Sequence, residues 1–279
     1  MMSKESYKMD MCNGPVLQKV IAFSLPLMLS SCLQLLFNAA DVIVVGRFAG
    51  STSLAAVGST TELLSLLTTL FIGFSIGANV NVARTLGNQD DQGTKDGIHT
   101  AISVSILSGS AMILLGFLFG RPMLQWMGTP ADVIDKASLY LMIIFIGMPS
   151  NMAYNFGSAI LRAMGDTKRP LYFLSVAGVL NVVLHLILVI VLHMDVAGVA
   201  LATILSETLS AVLILNCLCR TDGPCHLNIR KLYIQKDQLI RMLRIGLPAG
   251  IQSGMFSFSN VLIQSSINSF GSIAMAGST

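Results

Sequence analysis

Seven long apolar stretches divide this chain and decide which folds it can adopt. They cover residues of about 16–45, 55–83, 97–119, 137–161, 171–192, 196–219 and 240–268. A helix needs roughly 20 apolar residues to cross the hydrocarbon core of a bilayer, so each stretch predicts one membrane-spanning helix. Only 11 % of the residues are charged and the mean hydropathy is +0.73, whereas soluble domains hold about 25 % charged residues. The sequence therefore predicts an all-α, polytopic membrane protein.

An internal repeat indicates how these helices are organised. Ser272–Thr279 repeats Ser53–Thr60 with five of eight positions identical, and Leu25-Pro26 recurs as Leu247-Pro248. Six stretches separate the two copies, and because six is even, both copies enter the membrane in the same direction. Parallel repeats of this kind are related by an axis along the membrane normal, with the substrate path between them. We expect the chain to stop soon after its second copy begins.

The repeat and the loop charges together predict four segments. These are a cytoplasmic tail (1–15), a six-helix transmembrane lobe (16–219), a cytoplasmic linker with an amphipathic segment (220–239) and the first helix of an incomplete second lobe (240–279). Of the seventeen Lys and Arg side chains, only Arg47, Arg121 and Lys136 fall in segments opposite the N-terminus. Because Lys and Arg concentrate on the cytoplasmic side, we expect a multi-pass protein of the plasma (inner) membrane with a cytoplasmic N-terminus.

Polar side chains in the first stretch form a candidate site. Gln34, Asn38 and Asp41 follow one another at helical spacing and so share one face of the predicted helix. An ionisable group inside the bilayer is costly unless it meets a partner or water, which makes Asp41 a functional candidate. Pro26 removes a backbone donor from the same helix and predicts a hinge. The alternative is that Asp41 lies near the outer surface and is solvated.

The fifth and sixth stretches carry further polar groups that can join Asp41. Asn181 and His185 lie one turn apart, and so do Thr203 and Glu207. We expect these side chains to build a polar pocket between helices that takes and gives a proton or holds a sodium ion. Two alternatives stay open: His185 can be a hydrogen-bonded packing residue, and Thr203 can simply bond to its own backbone.

Two features of the second stretch have more general interpretations. Glu62 either lines the outer mouth of a cavity or caps the start of the helix. Gly73 and Gly77 form a Gly-x-x-x-Gly pair, which predicts close packing against another helix.

Five segments, in order, resemble the multidrug and toxic compound extrusion (MATE) transporters. They are Leu25-Pro26, Asp41–Gly46, Tyr140–Ile143, Leu161–Pro170 and Val196–Thr203. The resemblance covers nearly the whole chain, and the arginine-to-proline loop motif is its most specific part. It implies a twelve-helix, two-lobe antiporter that exports amphipathic, often cationic, compounds by alternating access in exchange for protons or sodium.

The resemblance also implies a set of site residues. An acid on the first helix is commonly grouped with an Asn on the fifth helix and a Thr on the sixth, which Asp41, Asn181 and Thr203 match. His185 stands where an Asp is usual, and because imidazole is a poor sodium ligand and a good proton carrier, protons are favoured as the coupling ion. The seventh helix carries no acid, which places any ion site in the first lobe. We expect the substrate cavity to be lined by Gln34, Asn38, Glu62, Tyr140, Asn260 and Gln264.

The expected partners follow from this reading. They are small-molecule drugs or organic cations, membrane lipid and the remaining lobe of the same polypeptide, with no nucleic acid, no cofactor and no enzymatic activity. A lipid-linked oligosaccharide flippase of the same superfamily is the alternative within transport, and it would favour several cavity-facing arginines. A seven-helix receptor disagrees with the cytoplasmic N-terminus and the repeat. A membrane-embedded enzyme would have only Asp41 and Glu207 as a candidate pair of acids.

Overall fold

The computed structural model describes residues 16–278, so the predicted tail 1–15 and Thr279 lie outside the described residues. The helices are α1 (Val16–Val44), α2 (Ser51–Gly87), α3 (Asp91–Trp126), α4 (Ile134–Ala163), α5 (Lys168–His185), α6 (Asp195–Cys219), α7 (Lys236–Asn268) and the short α8 (Ser272–Ser278). Two π-helical segments, Val45–Ala49 and Leu186–Val191, continue α1 and α5. Residues 16–278 contain no β-strand, which confirms the all-α prediction.

The number of apolar helices is one fewer than the sequence predicts. Six helices, α1 to α6, are long and apolar enough to cross a membrane. The seventh predicted stretch does form a long helix, α7, but it is not among the six. Amide, hydroxyl and glycine residues such as Gln252, Gly254 and Asn260 interrupt its apolar sequence. Its first turn lies within the predicted 220–239 linker, because α7 begins at Lys236.

The internal repeat has a structural counterpart. Pro26 lies inside α1 and Pro248 lies inside α7. Gly50 has a φ of 85° just before α2, and Gly271 has a φ of 90° just before α8. Only glycine adopts this backbone region without strain. Each copy therefore consists of a Pro-containing helix, a left-handed glycine and the start of the next helix.

The predicted breaker between the fourth and fifth stretches separates α4 from α5. Asp166 is buried, and its Oδ1 accepts a hydrogen bond from the backbone N–H of Arg169 at 3.1 Å. The Arg169 Nε also lies 3.1 Å from the other carboxylate oxygen. The Asp166 side chain thus satisfies an amide at the start of α5, where helices otherwise leave N–H groups without partners.

Glycine-to-glycine packing joins α2 to α7. A Cβ added at Gly73 would lie 2.7 Å from the Gly246 carbonyl oxygen, and one at Gly250 would lie 2.6 Å from the carbonyl oxygen of Leu70. Gly77 faces the backbone of Met242 in the same way. Gly-x-x-x-Gly pairs on both helices therefore let the two backbones touch, as in close helix pairs within membranes. The sequence pattern predicted the pair on α2, whereas its counterpart on α7, Gly246 and Gly250, was not predicted.

The segment between α6 and α7 lies against the beginning of α3. The Tyr233 ring stacks on His99 with the ring centres 5.2 Å apart. Nearby, the Asn81 side-chain amide donates to Gln238 Oε1 at 2.7 Å, and both residues are buried. These contacts connect the start of α7 to α2 and α3 at the end of the bundle that the loop charges predict to be cytoplasmic.

We predict that Gly250→Val destabilises the bundle, because a larger side chain overlaps the α2 backbone, which cannot move aside. Overpacking of this kind costs about 1–3 kcal/mol. The thermal unfolding midpoint in detergent should fall. Gly254→Val is the matched control on the same helix, since nothing lies within 4 Å of a Cβ at Gly254. Equal midpoints for the two variants would contradict the assigned packing.

Candidate functional site

A polar cavity of about 140 Å³ lies between α1, α4, α5 and α6. Its polar lining consists of Gln34, Asn38, Asp41, Asn151, Tyr154, Asn155, Asn181, Thr203, Ser206, Glu207 and Ser210. We call it the acid cavity, after Asp41 and Glu207. Six of the residues predicted for ion coupling or substrate binding line it, and they come from α1, α5 and α6.

Close packing of α1 on α5 brings Asp41 to this cavity. The Phe37 ring lies against Gly178, where an added Cβ would overlap the ring. Gly178 therefore allows α1 to approach α5 more closely than any other residue would permit. Gln34, Asn38 and Asp41 share one face of α1, and this packing turns that face toward the cavity.

Asp41 and His185 form a close carboxylate–imidazole pair beside the cavity, which becomes an ion pair when the imidazole is protonated. The Asp41 Oδ1 lies 3.0 Å from the His185 Nδ1, and His185 is fully buried whereas 22 % of the Asp41 side chain is exposed. The distance suits a hydrogen bond, yet the ring N–H does not point at the oxygen, so neither atom has a hydrogen-bond partner among residues 16–278. The distance is the better guide to their interaction, because the attraction of opposite charges does not depend on that angle.

Asp41 and His185 each lie just before a π-helical segment. The π-helical segment Val45–Ala49 follows Asp41 by one turn, and Leu186–Val191 follows His185 directly. The two segments contact each other. Each segment forms the C-terminal end of its helix, before Gly50 and Leu192. The helical geometry therefore changes just after each member of the pair, and α4 carries Pro149 inside the helix close to Asn151.

Glu207 is the second acid of the cavity, and Asn151 is its hydrogen-bond partner. The Asn151 Nδ2 donates to Glu207 Oε1 at 2.8 Å, and the Asn155 Nδ2 donates to Asn151 Oδ1 at 2.9 Å. The Asn155 amide thus orients Asn151, and Asn151 in turn orients Glu207. This chain of hydrogen bonds fixes one oxygen of the Glu207 carboxylate.

Asn181 and Thr203 also line the acid cavity. The Asn181 Nδ2 donates to Ser206 Oγ at 3.3 Å, while its Oδ1 is buried and has no hydrogen-bond partner among residues 16–278. The Thr203 hydroxyl donates to the Val199 carbonyl of its own helix at 3.0 Å. Thr203 therefore lines the cavity with its proton already engaged, which leaves the hydroxyl oxygen as an acceptor.

The other predicted residues lie outside the acid cavity. Glu62 is half-buried on α2, and Asn260 is exposed on α7. Gln264 is buried, and its Nε2 donates to Asn268 Oδ1 at 3.0 Å. Asn268 in turn donates to the Met127 carbonyl at 2.9 Å, so the two amides connect α7 to the end of α3.

Tyr140 and Pro26 are both buried away from the lining of the acid cavity. Tyr140 is buried in the hydrophobic core and lies within electrostatic range of both Asp41 and Glu207. Pro26 is buried within α1, and its carbonyl oxygen accepts a hydrogen bond from Ser30 Oγ at 2.8 Å. The hinge predicted at Pro26 stays a prediction.

Three cavity residues on α4 were missed by the sequence analysis: Asn151, Tyr154 and Asn155. The signal was available, since the two asparagines are spaced by one helical turn in an otherwise apolar stretch. The same reasoning that selected the α1 residues would have selected them.

Comparisons with known proteins identify the family. The MatE family model matches residues 26–187, which is more than half of the chain. The chain belongs to the MatE family. The matched region contains α2, α3, α4 and α5 with most of α1, and thus three of the four helices around the acid cavity.

Individual relatives agree with this assignment. The chain is 30 % identical to the probable multidrug resistance protein YoeA of Bacillus subtilis, over 91 % of the chain and 56 % of that protein. It is 24 % identical to the multidrug export protein MepA of Staphylococcus aureus, over 94 % of the chain and 58 % of that protein. An inward-facing MATE family transporter structure matches 87 % of the chain with a TM-score of 0.80 and 26 % identity, over 56 % of its own length. The chain thus spans somewhat more than half the length of these relatives.

We predict energetic coupling between Asp41 and His185. In a double-mutant cycle with Asp41→Asn and His185→Gln, the free energies of unfolding in mixed micelles should be non-additive by about 0.5–3 kcal/mol, as for residues in direct contact. The control is a second cycle that combines Asp41→Asn with His193→Gln, because His193 is exposed in the loop after α5. Additive effects for the Asp41 and His185 pair would show that the two side chains do not interact.

Proposed function

We propose that this chain forms the first lobe of a secondary-active multidrug exporter, in which protons and amphipathic cations compete for the acid cavity. The observation that carries the proposal is the pairing of Asp41 with the fully buried His185 at the edge of a cavity that also holds Glu207. Two carboxylates in a small, mainly buried space attract a cation and bind it less well once a proton has neutralised either of them.

Buried polar atoms without hydrogen-bond partners support the exchange of a proton for substrate. Asn181 Oδ1 and the His185 Nε2 are buried and have no hydrogen-bond partner among residues 16–278. Each such group costs about 1–3 kcal/mol, so an arrangement of this kind is kept where a proton or a cationic group satisfies it during the working cycle. Proton arrival at Asp41 or His185 changes which of these atoms donate and which accept.

Protons rather than sodium are the coupling ion in this proposal. Sodium, like other hard cations, prefers oxygen ligands such as carboxylates and carbonyls. The His185 nitrogen lies 3.0 Å from Asp41 Oδ1 and therefore competes with a metal ion for that oxygen. Imidazole exchanges protons near neutral pH, which suits a proton relay.

The remaining parts of the proposal concern the whole protein. We place it in the plasma membrane with a cytoplasmic N-terminus, because the Lys and Arg residues concentrate in the segments on that side. A second lobe of the same polypeptide would face the first, and the Pro-containing α7 with its left-handed glycine supports this arrangement. Alternating access would then follow from bending of α1 near Pro26.

The test is export of a cationic dye, tetramethylrhodamine methyl ester, by proteoliposomes that contain the protein expressed from its complete gene. A pH gradient should drive transport and Asp41→Asn should reduce it to background, because the variant has lost the group for which proton and dye compete. Asp135→Asn is the matched control, since Asp135 is exposed and paired with Arg121 away from the cavity.

Two outcomes would overturn this proposal. Dye export that is unchanged in Asp41→Asn would remove the assigned role of the acid cavity. Export driven by a sodium gradient in the absence of a pH gradient would remove proton coupling.

A further inference from the structure

A second cavity, of about 380 Å³, adjoins the acid cavity. It lies between α1, α2 and α4, and its lining includes Phe23, Leu27, Ile72, Ile76, Asn155 and Arg162. We call it the arginine cavity. Asn155 lines both cavities, so they share a wall on α4. Its apolar side chains come mainly from α1 and α2, and its charge comes from α4.

Arg162 is a cation with no opposite charge beside it among the described residues. Its Nη2 donates to Ser158 Oγ at 3.1 Å, and no carboxylate of residues 16–278 lies within 4.0 Å of it. Arg169, in the loop that follows, pairs with Asp166. A partly buried guanidinium is costly when it is unpaired and has five N–H donors to satisfy. An anionic oxygen group is the partner that fits it best.

The polar face of α4 connects the two cavities. Asn151, Asn155, Ser158 and Arg162 follow one another at steps of three or four residues and share one side of the helix. Helical side chains lean toward the N-terminus, and the hydrogen bond to Ser158 holds the guanidinium one turn above its own Cα. About 10 Å of α4 therefore separates the Arg162 guanidinium from Asn151, the residue that bonds to Glu207.

We propose that the arginine cavity is an anion subsite, which takes the carboxylate or phosphate group of an amphiphile whose cationic part lies in the acid cavity. The cationic half rests on the proposed function above, and the anionic half rests on Arg162. The two sites have opposite charge and a separation close to the length of a drug-sized molecule. The transporter therefore prefers zwitterionic amphiphiles over the corresponding simple cations.

The anionic group that binds Arg162 has two possible sources, a small amphiphile from the cytoplasm and the phosphate of a phospholipid. The apolar residues Phe23, Leu27 and Ile72 suit the body of either one. Both sources place an anionic oxygen against the Arg162 guanidinium, and the experiment separates them.

The experiment compares two dyes that differ in one charge, tetramethylrhodamine, which carries a carboxylate, and its methyl ester. Their binding is measured by fluorescence anisotropy to the protein, expressed from its complete gene, in phosphatidylcholine nanodiscs. Arg162→Gln should weaken binding of the carboxylate dye about tenfold, because a charge-assisted hydrogen bond is lost. The methyl ester should bind to both proteins alike. Arg121→Gln, at an exposed and distant arginine, is the matched control and should change neither dye.

A second variant keeps the test decisive if Arg162→Gln does not fold. Arg162→Lys keeps the positive charge but removes the paired donors of the guanidinium, and it should weaken binding of the carboxylate dye while the ester still binds. Bound ester also shows that the variant is folded.

The outcomes separate this proposal from the proposed function. If Arg162→Gln weakens both dyes equally, or neither, the anion subsite is wrong, even when Asp41→Asn still abolishes export of the ester. If the ester is not exported at all, the proposed function fails, and the binding comparison still tests Arg162. The sources are separated by repeating the measurement in dodecyl maltoside micelles, which contain no phosphate, and then adding phosphatidylcholine: Arg162-dependent competition with the carboxylate dye assigns the subsite to lipid phosphate, and no competition assigns it to small amphiphiles.

Discussion

A polar side chain in the hydrocarbon core of a membrane must find its partners within the protein, and this constraint determines how α1 lies against the bundle. Most of α1 is exposed, so its apolar residues give little reason to pack there. Asp41 meets His185, and the Phe37 ring rests on Gly178. Without these contacts an acid would face lipid, at a cost of several kcal/mol. The acid cavity is therefore a consequence of the same contacts that fix the position of α1.

The contact between α2 and α7 is built on a different principle. There α2 and α7 approach through glycines, and Gly73 and Gly250 leave no room for a side chain. Such packing is dense and depends on no ionisable group, so a change in protonation at Asp41 leaves it intact. We infer that the α2–α7 pair is a fixed element, whereas α1 is held by contacts that a proton can alter. This division suits a transporter in which one helix responds to the ion.

The sequence predicts what lies along one helix better than what lies between helices. The face formed by Gln34, Asn38 and Asp41 follows from helical periodicity alone, and these residues do line the acid cavity. Periodicity does not say which neighbouring face it meets, so the Glu207 partner Asn151 was missed. Gln264 has cavity-like polarity, yet it bonds to Asn268 at a helix junction. Arg162 was counted only as a cytoplasmic charge, because its cavity is formed by side chains from α1 and α2.

Competition between proton and cation at the acid cavity is the central claim, and the proton count on binding tests it most directly. Calorimetric titration with tetramethylrhodamine methyl ester, in buffers of different ionisation enthalpy at one pH, measures the protons released for each dye bound. Because binding linkage is reciprocal, a dye that displaces a proton must release it into the buffer. The account predicts proton release on dye binding by the unmodified protein and no release in Asp41→Asn. Heats that do not depend on the buffer in the unmodified protein would contradict it.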